Sequence, residues 1–359
     1  MGSLDDRLIA RLDDLCAAHA VSGHEAALAA KIRREAGDHA DEVSTDPLGN
    51  VIARMRGDGP KVMVTAHLDE IGLMVRHIDE RGFLFFAPVG GHRAQNLFAR
   101  ACTVKTDDGR LLPGLINHMR PGRPRGIENL PDLDEFFIDV GASTLEEAEG
   151  MGLEIGNTVS LEYGFSRLGG NRLMGKALDD RALVLIQLEA MRRLADGRRA
   201  APGGLPDLYF VFTTQEEVGA RGAKTAAHAV DPDVAVALDI AVANDLPGTP
   251  PHETITRLGS GPAIKVMDRL ANSQMGLIAD PRVVRDMKSI AAGHGIPYQL
   301  EVFMAGSTDA ATMHLEREGA ASGAILLPTR YVHAHEVISE RDVVGMTELL
   351  LRYLESFRR

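Results

Sequence analysis

The chain has 359 residues, which at roughly 100–200 residues per domain suggests two domains. Apolar types make up 45% and charged types 25%, so a large core can form and disorder of the whole chain is excluded. Lys plus Arg number 39 against 51 Asp plus Glu, a net charge of −12 that argues against nucleic acid and anionic membranes as partners.

Leu4, Leu8, Leu12 and Leu15, with Ile9 and Cys16, recur at helical spacing, so the chain opens with an amphipathic helix. The acidic start before it is unlike a signal peptide, and no apolar run approaches the roughly 18 residues that a membrane span needs. Cys16 lies on the apolar stripe and reads as core. The other cysteine, Cys102, is far away, so there is neither a disulfide framework nor a metal knuckle, and a reducing, cytoplasmic compartment is expected. Ser22 and Glu25 have capping-box spacing and predict a second helix running to about Ala36. Asn50 to Arg56 reads as a strand, and the apolar run Val62 to Ala66 as a buried strand of a parallel sheet.

From 73 to 165 the pattern changes to short alternating segments with turn signals. Val75 to Phe86 turns at Glu80-Arg81-Gly82, and Thr103 to Ile116 at Asp108-Gly109, a good hairpin signal. This block is expected to form a small all-β domain, inserted between α/β segments 1–72 and 166–359. Within it, Arg120 to Arg125 carries three arginines among Pro and Gly and no aromatic residue, and reads as a loop. Helix–strand alternation then returns. Helices are expected over Asp180 to Ala195, Pro281 to Ala292, Asp309 to Glu318 and Arg341 to Phe357, with strands over Asp207 to Thr214, Val234 to Ile240, Tyr298 to Met304 and Ala324 to Leu327. The strand at 62–66 and those after 171 are expected to share one α/β sheet that the β block interrupts.

Ligands of open α/β sheets gather at the carboxyl ends of the strands. After Ala66 comes His67-Leu68-Asp69; Asp179-Asp180 heads a helix; Gln215-Glu216-Glu217 follows a strand; another strand carries Asp239; and His333-Ala334-His335-Glu336 follows the last. Each piece alone has an ordinary explanation as a polar strand end, a helix cap or a solvated turn. Together they do not, because charged groups are rarely buried unpaired. Two imidazoles and several carboxylates suit Zn²⁺ or a similar divalent ion. Two ions fit the count better than one: His67, Asp179 and Asp239 for the first, and Asp179, Glu217 and His333 for the second, with Asp179 bridging. Asp69 lies on the same side of an extended chain as His67 and can accept its second ring N–H. Glu216 is left without a ligand role and is the candidate proton shuttle.

These motifs resemble the glutamyl aminopeptidase family of dinuclear metallopeptidases, metallopeptidase family 42, which includes the tetrahedral (TET) aminopeptidases. The matching pieces are Val21 to Glu25, Asp46 to Asn50, Ala66 to Gly72, Ala177 to Arg181, Gln215 to Gly219, Gly306 to Asp309 and Pro328 to His333, in the family's order. The resemblance implies a phosphorylase/hydrolase-like three-layer αβα catalytic domain with an inserted small β-barrel-like domain. It also implies two zinc or cobalt ions, peptide substrates trimmed from the N-terminus, and homo-oligomers, often dodecamers built from dimers. The family usually has Ser and two further residues between its last histidine and a Glu. Here the segment is one residue shorter and holds a second histidine, so His333 is expected as the ligand with His335 as the alternative. A carboxypeptidase or deacylase on the same metal core is the competing enzyme reading, and a metal-stabilised scaffold without catalysis the competing non-enzyme one. The spare base Glu216 argues for catalysis.

Overall fold

Four parallel strands, Asp207–Thr213, Lys61–His67, Val234–Val242 and Ala321–Arg330, lie side by side at the centre of a twelve-stranded sheet in the computed structural model, which describes residues 2–118, 131–200, 204–271 and 273–357. Their near-continuous apolar sequences account for this position, because a parallel sheet must be covered on both faces. Alternate side chains enter different cores. Val62, Val64, Phe210, Phe212, Val236 and Leu238 pack with helices Asp6–Ala17, Ala26–Gly37, Leu178–Ala200, Pro281–Gly293 and Glu340–Glu355. Met63, Val211, Ala235 and Ala237 pack on the other face with Arg221–Val230 and Ala310–Met313. The result is three layers, helix on sheet on helix.

Antiparallel strands flank this centre. Val51–Met55 and Glu42–Thr45 extend it on one side, and Glu336–Ser339, Arg172–Gly175 and Ser166–Leu168 on the other. Strand Ala263–Arg269 branches from Ala321–Arg330 and pairs in turn with Gly276–Ile278 and Gln299–Phe303. The inserted barrel closes from six strands in the order Gly72–Ile78, Leu84–Val89, Phe136–Asp139, Leu111–His118, Arg100–Lys105 and Thr158–Leu161. Both expected hairpins are present, with Ile78 opposite Leu84 and Lys105 opposite Leu111. The barrel has its own core, which includes Leu73, Phe86, Val104, Ile116, Phe136 and Val159. The basic stretch Arg120 to Arg125 lies outside the described residues.

Three local expectations are corrected. The helix expected over Asp309 to Glu318 is only Ala310–Met313. The helix expected to start at Asp180 is regular only from Arg181, because Asp179 and Asp180 have non-helical backbone angles. No capping box forms at Ser22 and Glu25. Ser22 Oγ donates instead to Asp69 Oδ2 at 2.5 Å, and Glu25 Oε1 accepts from the amides of Gly23 and Gln215. Both side chains are drawn off by partners distant in sequence.

Candidate metal centre

His67 and Thr213 are register partners at the ends of adjacent parallel strands, so the segments that follow them emerge side by side. The segment after Thr213 cannot continue the sheet, because Gln215 takes a left-handed φ of 57°. Four consecutive amides of this turn are held by side chains from elsewhere. Thr214 N donates to Asn50 Oδ1 at 2.9 Å, Gln215 N to Glu25 Oε1 at 3.0 Å, Glu216 N to Asp69 Oδ1 at 3.0 Å and Glu217 N to Asp69 Oδ2 at 3.1 Å. The motifs at 21–25, 46–50 and 67–69 thus converge on the turn that presents Glu216 and Glu217. Asn50 is itself fixed by donating to Asp46 Oδ2 and to the Gly222 carbonyl.

Two groups of donor atoms form there. His67, Asp179, Asp180 and Asp239 make one, and Asp179, Glu217 and His333 the other, each with its ligand atoms within 4.8 Å of one another. Asp179 belongs to both. Its Oδ1 lies 3.1 Å from His67 Nε2 and its Oδ2 lies 3.7 Å from His333 Nε2, which is also 3.2 Å from Glu217 Oε2. The other ring nitrogen of His67 meets the Asp69 carbonyl at 3.1 Å and Asp69 Oδ1 at 3.5 Å. That contact leaves Nε2 to face Asp179.

The chemistry of this cluster calls for positive charge. Burial raises the carboxyl groups of Asp180, Asp239 and Glu216 well above their ordinary range, and neighbouring carboxylates add to the effect. Burial works to lower the His333 imidazole, but Glu217 and Asp179 override it and lift the group to about 10. Asp180 Oδ2 accepts from the His67 amide, while its buried Oδ1 has no hydrogen-bond partner among the described residues. Carboxyl groups pushed up and imidazoles pushed up with them mark a surplus of negative charge, which divalent cations would neutralise. The residues present fit two such ions.

All the residues singled out in the sequence converge here except His335. Its Nε2 meets the Gly164 carbonyl at 3.0 Å, and its ring packs on Tyr163 with centroids 4.9 Å apart. Three carboxylates at the site had no assigned role. Asp180 holds the His67 amide, Asp309 Oδ2 accepts from Thr213 Oγ1 at 2.7 Å, and Glu336 accepts from two backbone amides. The Asp-Asp pair and the Thr308-Asp309 motif were visible signals for the first two, but their partners lie more than 90 residues away in the chain.

An α/β sheet with an inserted barrel thus carries a crowded edge of imidazoles and carboxylates that could hold divalent cations, and the comparisons with known proteins supply the class, the metallopeptidases. Residues 49–349 match the family model described as M42 glutamyl aminopeptidase. A putative aminopeptidase from Acetivibrio thermocellus is 39% identical over 332 residues, 92% of this chain and 93% of that protein. The aminopeptidase structure from the archaeon Desulfurococcus kamchatkensis superposes with a TM-score of 0.91 at 40% identity, covering 98% of this chain and 95% of the other. The Pyrococcus horikoshii TET1 peptidase, described as assembling into a tetrahedron or a large octahedral shell, gives a TM-score of 0.84 at 29% identity over 96% of this chain and 98% of its own. The chain belongs to the M42 glutamyl aminopeptidase family and is an aminopeptidase, a hydrolase of peptide bonds.

Proposed function

We propose that the protein removes N-terminal residues from peptides with two divalent cations, one held by His67, Asp179 and Asp239 and the other by Asp179, Glu217 and His333. The observation that carries this reading is Asp179, whose two oxygens face two different histidines. The mixed imidazole and carboxylate donors suit Zn²⁺ or Co²⁺. When bound, such ions supply Lewis acidity at the scissile carbonyl and lower the pKa of water.

The remaining steps belong to the chain. Glu216 lies in neither donor group and has His67, Asp239 and Asp309 as charged neighbours. It takes the proton of the attacking water and returns it to the leaving amine. Asp69 orients the His67 ring and fixes the turn that carries Glu216. The assembly is a homo-oligomer with a dodecamer as its form, a reading supported by the shells described for the TET1 peptidase and by the dodecamer described for PhTET1-12s. Cys16 and Cys102 are both free and buried, which supports a cytoplasmic location. Among the described residues no helix is long and apolar enough to cross a membrane.

Glu216→Gln and Glu217→Gln test the division of labour. Glu216→Gln should keep its metal and substrate binding while turnover falls by roughly 10²–10⁴-fold, the usual contribution of a positioned base. Glu217→Gln should lose metal together with activity. Near-normal turnover of Glu216→Gln on L-aminoacyl p-nitroanilides would remove the proposed base.

A further inference from the structure

Glu336 opens the strand Glu336–Ser339 and stands opposite Gly175 in the antiparallel pairing with Arg172–Gly175. Two segments leave this pair at the same end. One runs forward from Gly175 to Asp179, and the other runs back from Glu336 to His333. They carry the bridging carboxylate and the last imidazole of the centre described above. The Glu336 side chain is buried between them. Its Oε2 accepts the Asp179 amide at 2.9 Å and its Oε1 accepts the His333 amide at 3.0 Å, one oxygen to each ligand-bearing residue.

Neither segment is regular structure. Ala177 and His333 have φ values of 51° and 63°, left-handed conformations that non-glycine residues keep only when their surroundings impose them. The His333 carbonyl is approached by Asn96 Nδ2 from the barrel at 3.4 Å, so both backbone polar groups of this residue are tied to other elements. We infer that Glu336 is a positioning residue that sets the separation of the two halves of the centre by holding the Asp179 and His333 backbones on one carboxylate. It belongs to neither donor group and acts through the two residues it holds. Placing a further negative charge beside Asp179 is unfavourable in the metal-free protein and is compensated when cations are present.

The inference rests on the two-cation reading of the site, and the test separates the two. Metal-free wild type, Glu336→Gln, Glu336→Ala and His335→Ala are titrated with Co²⁺ and followed by visible absorption, with thermal melting of each metal-free protein alongside. Wild type and His335→Ala should take up two equivalents. Glu336→Gln keeps its size and one acceptor oxygen; it turns an NH₂ toward one backbone N–H, as Asp69→Asn does, but it also removes the repulsion from Asp179, so its metal-free melting should stay close to wild type. Its Co²⁺ affinity should fall by roughly 10–100-fold, the usual effect of losing a group that orients metal ligands, with the ion held by His333 the weaker of the two. Glu336→Ala should lose more affinity, and where it does not fold Glu336→Gln decides. Unchanged affinity in Glu336→Gln would overturn the inference. So would a collapse of its metal-free melting, which would make Glu336 a general structural residue. Fewer than two equivalents in wild type would instead overturn the two-cation reading.

Discussion

Replacing Asp69 should loosen the centre without removing any proposed ligand. Its carboxylate is fully buried and accepts from Ser22 Oγ, Glu216 N and Glu217 N, with Oδ1 3.5 Å from His67 Nδ1. Asp69→Ala strands two backbone amides and a hydroxyl where water does not replace their acceptor. Leaving a buried donor unsatisfied costs about 1–3 kcal/mol, so Asp69→Ala should lose roughly 3–6 kcal/mol after relaxation. Asp69→Asn keeps one acceptor oxygen but turns an NH₂ toward a backbone N–H, and should lose about 1–3 kcal/mol. The turn carrying Glu216 and Glu217 slackens in both variants, and metal affinity should fall by roughly 10–100-fold. Urea unfolding of the metal-free proteins and Co²⁺ titration of the same samples measure the two effects. If Asp69→Ala unfolds with wild-type stability and binds Co²⁺ as tightly as wild type, the Asp69 carboxylate neither holds the turn nor orients His67, whose ring is then set by the Asp69 carbonyl.

The two neighbouring histidines should separate cleanly. His333→Ala should lose metal and activity, whereas His335→Ala should retain two ions per chain by elemental analysis; the reverse result would exchange their assignments. Gly222→Ala tests the support behind the turn. A Cβ there would stand 2.3 Å from Asn50 Oδ1 and 2.4 Å from the Thr214 carbonyl, displacing the side chain that holds the Thr214 amide. Overpacking of this kind costs about 1–3 kcal/mol or more, so the variant should melt clearly below wild type, and an unchanged melting temperature would contradict the close approach.

The central strands were legible because Val62 to Ala66 and Val234 to Ile240 are apolar on both faces, the pattern that buried parallel strands require. Their carboxyl ends could then be read directly for His67 and Asp239. The hairpins of the barrel were legible from Gly82 and Gly109, which adopt the positive φ those turns need. Short edge elements were not. Arg172–Gly175 and Glu336–Ser339 have four residues each, too few to show a period, and are defined by pairing with distant partners. The role of Glu336 depends on that pairing, so the chain order around His333 gave no hint of it. The capping-box reading failed for a related reason: Ser22 and Glu25 have the correct spacing, but Asp69 and the Gln215 amide are stronger claims on them than the helix terminus. The helix Arg221–Val230 was missed because its inward face is small alanines rather than a stripe of large apolar residues.

The bridging carboxylate is the centre of the account, and counting ions tests it most directly. Wild type, Asp179→Asn and Asp239→Asn are loaded with Zn²⁺, desalted and analysed for metal per chain. Asp179 faces both histidines while Asp239 groups only with the first. A neutral amide at Asp179 therefore weakens both sites, and one at Asp239 mainly one. The account predicts two ions in wild type, about one in Asp239→Asn, and loss of both in Asp179→Asn. Two ions retained in full by Asp179→Asn would contradict it.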